Sequence, residues 1–282
     1  MNTPSEPERA IRRILVALDA SADSLAALEA SAELAAAIEA ELLGLYVEDA
    51  DLIRLPEHPF VLEIDILSAA PRRLQSGELE RQLRAQAARA RQMLARMAES
   101  IGVRWSFRSV RGRVASEVLA CVAEADLIIL GATGRSLRRG PGSTVRALLD
   151  AASGPVMVLR RGTRLGRTIH VLYDGTPAGW QALAAAASLM TREDARLTVV
   201  LMGPEDELER MDDEVKAWLD QRRLSASRVS LPRGPAEIRR LTSLLLQDRS
   251  GLIVVPRSSL KGERQAFRTL LSGVNCPLLV VG

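Results

Sequence analysis

The stretch Ile14-Leu15-Val16-Ala17-Leu18-Asp19-Ala20-Ser21 returns in the second half of the chain as Ile169-His170-Val171-Leu172-Tyr173-Asp174-Gly175-Thr176. Each copy is a short apolar run closed by an aspartate, a small residue and a hydroxyl. An unbroken apolar run of this length predicts a strand buried on both faces. The Asp and Ser/Thr behind it predict a helix start, because their oxygens satisfy the first free N–H groups. Alanine-rich helical segments follow on cue, over 25–40 and 180–190.

The recurrence continues outward from those two strands. Leu42 to Val47 matches Leu197 to Met202, and a long helix bearing Met93 and Met97 matches Val215 to Leu224. Val110-Arg111-Gly112 resembles Leu231-Pro232-Arg233-Gly234, each leading into a helix and then a buried strand, Leu127 to Leu130 or Leu252 to Val255. Proline-led strands close both halves, Pro155 to Leu159 and Pro277 to Val281. Short apolar strands alternating with amphipathic helices predict the α/β class: two tandem, doubly wound parallel-sheet domains of Rossmann-like form. The boundary falls in the arginine-rich stretch after Leu159, giving domains over 1–160 and 168–282.

Composition agrees and removes several classes. A chain of 282 residues suits two domains, each with its own core. The 47% hydrophobic content argues against a disordered chain, and no apolar stretch reaches membrane-spanning length. The start is polar and lacks a signal-peptide core, and Cys121 and Cys276 lie in different halves without metal-ligand spacing. These features predict a cytoplasmic protein with buried thiols and no membrane partner. A net charge of +3 is too small, and its 35 acidic residues too interspersed, to predict nucleic-acid binding.

Gly131-Ala132-Thr133-Gly134 follows the strand 127–130 and precedes Gly140-Pro141-Gly142-Ser143-Thr144 and a helix over 145–152. Glycines at a strand end admit close backbone approach, and a helix start offers free amides and the positive end of the helix dipole. Together they predict a phosphate site. In a doubly wound sheet, ligands bind beyond the carboxyl ends of the strands, so Asp19 and Gly131 can face one crevice. Plainer roles also fit these residues: Asp19 and Ser143 as helix-start residues, Gly142 as a turn, Val47 as core.

With these residues in view, the chain resembles the universal stress protein family in its tandem form. The family's nucleotide signature is Gly-x2-Gly-x9-Gly-Ser/Thr, and here Gly131-x2-Gly134-x7-Gly142-Ser143 is two residues shorter. The resemblance implies a stress-response regulatory protein binding ATP, ADP or AMP, with Mg²⁺ as a companion. It implies Asp19 near the ribose or the metal, Ala17 flanking the nucleotide, and the Val47 backbone beside the adenine. Gly131, Gly134, Gly142, Ser143 and Thr144 would surround the phosphates.

The second half keeps Asp174 but replaces the glycine loop by Pro256-Arg257-Ser258-Ser259. Proline removes an N–H and fixes φ, so this half is expected not to bind ATP in the family's manner. Its expected role is that of an internal partner in a pseudo-dimer, with a homodimer of whole chains, joined through the closing strands, as a further possibility. Residues 48–78 have no counterpart in the second half and read as a lid, a docking segment or a plain excursion. His58 and His170 form no triad or metal pattern, and no P-loop is present, so enzymatic chemistry is limited to slow ATP hydrolysis. Two function classes stand: a nucleotide-binding regulator with an unidentified protein partner, and a nucleotide-independent scaffold of the same fold.

Overall fold

The computed structural model describes residues 11–19, 21–54, 62–64, 71–73, 76–133, 142–191, 194–233, 240–241, 243–245, 251–260 and 276–282. The first half runs β1 (Arg13–Leu18), α1 (Ala22–Ala37), β2 (Glu41–Asp49), α2 (Ala50–Arg54), β3 (Leu62–Ile64), β4 (Pro71–Arg73), α3 (Ser76–Ser100), β5 (Trp105–Gly112), α4 (Val114–Ala120), β6 (Leu127–Gly131), α5 (Ser143–Ala151) and β7 (Val156–Leu159). The second runs β8 (Thr168–Tyr173), α6 (Pro177–Ser188), β9 (Arg196–Gly203), α7 (Leu208–Gln221), β10 (Ala226–Pro232), β11 (Leu252–Pro256) and β12 (Leu278–Val281).

Local chemistry explains where the first helices begin. The Ser21 hydroxyl accepts the Ser24 N–H, and the Thr176 hydroxyl accepts the Gly179 N–H. Both helices therefore start three residues earlier than apolar periodicity alone predicts, at Ala22 and at Pro177, whose fixed φ suits a first helical position. The alanines of α1 let it lie close on the sheet, with Ala26, Ala27, Ala30, Ala32 and Ala35 buried.

Ten strands form one sheet in the order β10-β9-β8-β11-β12-β7-β6-β1-β2-β5. Within each half neighbouring strands are parallel, and the order β5-β2-β1-β6-β7 of the first is matched by β10-β9-β8-β11-β12 in the second. The halves meet where β7 and β12 pair antiparallel, with Leu278 opposite Val158, Leu279 opposite Met157 and Val280 opposite Val156. Both faces of the sheet are covered, so side chains alternate between two cores. Val16, Ile129, Met157, Val171 and Leu279 enter one, and Leu15, Ile128, Val158, Leu172 and Val280 the other. Each core runs past the seam into both halves.

The seam corrects one expectation. β7 is flanked by β6 and β12, and β12 by β11 and β7, so the closing strands are not free edges through which a second chain could associate. The outer strands are β5 and β10, and β5 carries Arg108 and Arg111 paired with Glu124 and Glu48 at 2.8 and 3.0 Å. Such exposed pairs contribute little stability, but charges on an edge discourage further strand addition.

Within the excursion after β2, α2 is followed by a short antiparallel pairing of β3 and β4, with Leu62 opposite Arg73 and Ile64 opposite Pro71. The rest of 55–75, including His58 and most of the apolar stretch 60–67, lies outside the described residues. Among the described residues no helix is long and apolar enough to cross a membrane.

Met157→Ala and Leu279→Ala should each lower stability by about 2–4 kcal/mol in urea unfolding. The double variant should cost less than the sum, because the two side chains share one cross-strand contact. Neither Cys121 nor Cys276 forms a disulfide, both are buried, and burial pushes the Cys121 thiol up. Iodoacetamide at pH 7.5 should label neither cysteine in the native protein and both in denaturant.

Candidate functional site

In the first half the chain leaves β1 in both directions across the sheet, toward β2 and toward β6. That reversal opens a crevice at the carboxyl ends of β1 and β6. Asp19 stands at its lip, half-buried, one residue past β1. Its N–H donates to the Ser24 hydroxyl at 3.1 Å, and its Oδ1 accepts the Ser21 N–H at 3.0 Å. The helix-start role and the site role therefore coexist: one carboxylate oxygen shapes the turn, and no hydrogen bond within the described residues engages the other.

The crevice floor is apolar. Ala17 of β1, Val47 of β2, Val110 of β5 and Val114 of α4 are half-buried and pack on one core, and Val47 is the register partner of Val110. All four pack on the core that α5 enters through Val145 and Leu148.

Opposite the floor, Gly142 precedes α5 in an extended conformation, with no side-chain cap and no acidic residue in the first turn. Ser143 is exposed and Thr144 half-buried, so two hydroxyls stand with the free amides of the first turn. Gly134 lies outside the described residues.

Sequence reasoning missed Asp23. It sits in the first turn of α1, is only 9% exposed, and holds three donors. Its Oδ2 accepts the Thr133 N–H at 3.0 Å and the Thr133 hydroxyl at 2.5 Å, while Oδ1 accepts the Arg161 N–H at 2.8 Å. Asp23 thus ties the glycine loop and the chain beyond β7 to the start of α1. The available signal was the contrast between halves, since the matching position holds Ala178.

Gly131 also has a packing reason beside the one its motif predicts. A Cβ there would lie 2.8 Å from the carbonyl carbon and Cβ of Asp23 and 2.9 Å from the Ser24 nitrogen. The missing side chain makes room for α1, which presses its first turn against the end of β6.

In the second half the equivalent aspartate is engaged from within. Asp174 Oδ1 accepts the Thr176 N–H and hydroxyl at 3.2 and 2.6 Å, and Oδ2 accepts the Ser258 and Ser259 hydroxyls at 2.8 and 3.2 Å. Met211 of α7 covers the neighbouring glycines: its sulfur would lie 3.1 Å from a Cβ on Gly203, and its methyl 3.7 Å from one on Gly175. Tyr173 is fully buried against Trp180, ring centroids 4.8 Å apart, and burial pushes its phenol well up. Arg257 turns away toward the seam. It donates to the carbonyls of Leu149, Gly154 and Gly282, the Gly154 contact measuring 3.0 Å.

The halves therefore differ in which carboxylate tethers the loop after the fourth strand of the unit. In the second, the strand-end Asp174 does so and is consumed. In the first, Asp23 does so and Asp19 is released. Among the described residues no three His, Cys, Asp or Glu side chains cluster as a metal site. A cation at Asp19 would draw its other ligands from a bound anion and water. His170 is buried within β8.

Comparison with known families is decisive here: the universal stress protein family matches residues 10–160, more than half of the chain. The chain belongs to the universal stress protein family. Solved universal stress proteins extend the likeness over both halves. One from Archaeoglobus fulgidus matches 95% of this chain and 97% of its own at 15% identity, with a TM-score of 0.72. A putative universal stress protein from Pseudomonas aeruginosa matches 97% and 94% at 16% identity, with a TM-score of 0.59. At these identities the likeness concerns the fold. A shorter universal stress protein, solved in complex with cAMP, matches 54% of this chain and 99% of its own at 19% identity, with a TM-score of 0.38. No curated protein matches the chain.

Asp23→Ala should cost about 1–3 kcal/mol, because it leaves the Thr133 and Arg161 N–H groups without their buried acceptor. Gly131→Val should cost more than 3 kcal/mol, since the new side chain meets backbone rather than a movable group. Thermal and urea unfolding of the two variants test both, and a Gly131→Val protein as stable as the parent would refute the packing account.

Proposed function

We propose that the first half, residues 1–160, binds an adenine nucleotide in the crevice between Asp19 and the start of α5, and that occupancy regulates contact with a protein partner. The observation that carries this reading is the displaced tether. Because Asp23 holds the glycine loop, Asp19 keeps a carboxylate oxygen for a ribose hydroxyl or a phosphate-bound Mg²⁺. Ala17, Val47 and Val110 offer a base an apolar seat, and the amides and hydroxyls of Ser143 and Thr144 face an anion. The second half, 168–282, serves as the internal partner of a pseudo-dimer: its aspartate is spent on Ser258 and Ser259, and Met211 packs beside its Gly175 and Gly203. The setting is cytoplasmic, consistent with two buried cysteines that form no disulfide.

Calorimetric titration of the whole protein with ATP, ADP and AMP, with and without Mg²⁺, tests this. At least one of the three should bind with a dissociation constant below about 1 mM, corresponding to roughly −4 kcal/mol. Asp19→Ala should weaken that binding at least tenfold, and Asp174→Ala should leave it unchanged. Absence of heat and of thermal stabilisation with all three nucleotides at millimolar concentration would instead support the scaffold.

A further inference from the structure

One face of the sheet carries four helices. Ala27 of α1, Leu94 of α3, Ala182 of α6 and Met211 of α7 enter the same core, and the strands beneath them set the order α7-α6-α1-α3 across the face. The outer two, α3 and α7, occupy equivalent places in the two halves and carry opposite charge. Residues 81–98 hold five arginines and no carboxylate, whereas residues 205–220 hold eight carboxylates against Arg210 and Lys216. Helical spacing turns these charges outward as stripes. Arg81, Arg89 and Arg96 are exposed on the side of α3 away from the buried Leu83, Ala90 and Leu94, and Glu209, Asp213 and Asp220 on the side of α7 away from the buried Met211, Val215 and Trp218. None of these six charges has an ion-pair partner among the described residues. Between the stripes the face is poor in charge. α6 has no charged side chain in its 12 residues, and α1 shows Leu25, 39% exposed, with Ala36 and Ala37 beside Glu29 and Glu33.

We infer that this face binds a second copy of the chain, turned by a half-turn about an axis parallel to the strands, so that α3 of each copy lies on α7 of the other. The reversed helix order then sets α1 on α6, and Glu29 and Glu33 meet an uncharged helix. A half-turn about the axis across the strands would instead set α3 on α3 and α7 on α7, and like charges reject it. Complementarity also argues for a second copy over a polyanion, which one end of the face would attract and the other repel. The contact is isologous, so it closes at two copies. Four helices about 10 Å apart and about 20 Å long present roughly 800 Å² per copy, the size of a standard interface.

Sedimentation velocity of the whole protein tests this. A dimer should form with a dissociation constant below about 50 μM at about 50 mM salt and weaken at least tenfold at about 500 mM, where the Debye length falls to roughly 4 Å. It should form with and without nucleotide, so its failure and that of the nucleotide reading are separate results. Reversing one stripe, by Arg81→Glu with Arg89→Glu and Arg96→Glu, should give a monomer, and so should Glu209→Lys with Asp213→Lys and Asp220→Lys. An equimolar mixture of the two variants should dimerise again, because each supplies the sign the other has lost. A parent protein that stays monomeric to about 200 μM at low salt overturns the inference, and needs no variant. Retention of that monomer on heparin, lost on reversal of the α3 stripe, would assign the stripe to an external polyanion. Assembly beyond the dimer, or a dimer indifferent to either reversal, would overturn the pairing equally.

Discussion

The pairing of β7 with β12 is the constraint on which the rest of the molecule depends. Parallel strands cannot be joined edge to edge by short turns, and a five-stranded parallel half with one bare flank exposes a row of unpaired N–H and C=O groups. Placing the last strand of each half against the other removes one bare flank from each and leaves β5 and β10 as the outer strands. The opposed direction of β7 and β12 follows, because a rotation that brings equivalent edges together must reverse one of them. The cores on both faces then become continuous, with Met157 and Leu279 in one and Val158 and Val280 in the other.

This arrangement leaves the crevices unequal. Both halves end their first strand in an aspartate and must anchor the loop that follows the fourth strand of the unit. The second uses Asp174 and two serine hydroxyls, which engages both oxygens of that carboxylate within its own half. The first borrows Asp23 from the adjoining helix. Burying that carboxylate would be costly if it were isolated, but three donors meet it, and the arrangement fixes the Thr133 loop without spending Asp19.

Much of the fold was legible because it rests on periodicity. The repeat of Ile14 to Ser21 at Ile169 to Thr176 predicted equivalent strands and helices, and the unbroken apolar runs predicted a sheet covered on both sides. The crevice was legible as a place, since Asp19 and Gly131 follow strand ends. What stayed hidden depends on contacts between residues far apart in the chain. An aspartate in a helix's first turn is ordinary capping and dipole chemistry, so nothing local marks Asp23 as the anchor of residues 133 and 161. Gly131 read as a ligand-facing glycine, and nothing local shows that α1 also occupies its vacant Cβ position. Arg257 stood as a sign of a lost motif, and its partners at Leu149 and Gly154 emerge only once the halves are joined.

Arg257 gives the seam a mechanical meaning. Because the halves run in opposite directions, the far end of the second crevice lies beside the near end of the first half's strands, and α5 stretches between the two. Nine residues make it a rod of about 13 Å, with its free amides at one crevice and its closing carbonyls, Leu149 among them, gripped by a guanidinium from the other. Burial draws that guanidinium below its ordinary basicity while Asp150 on the same helix opposes the drop, so the grip is electrostatic as well as steric. The loop that replaced the glycines is thus a fulcrum. One helix thus begins at the first crevice and has a late carbonyl held by a residue of the opposite half.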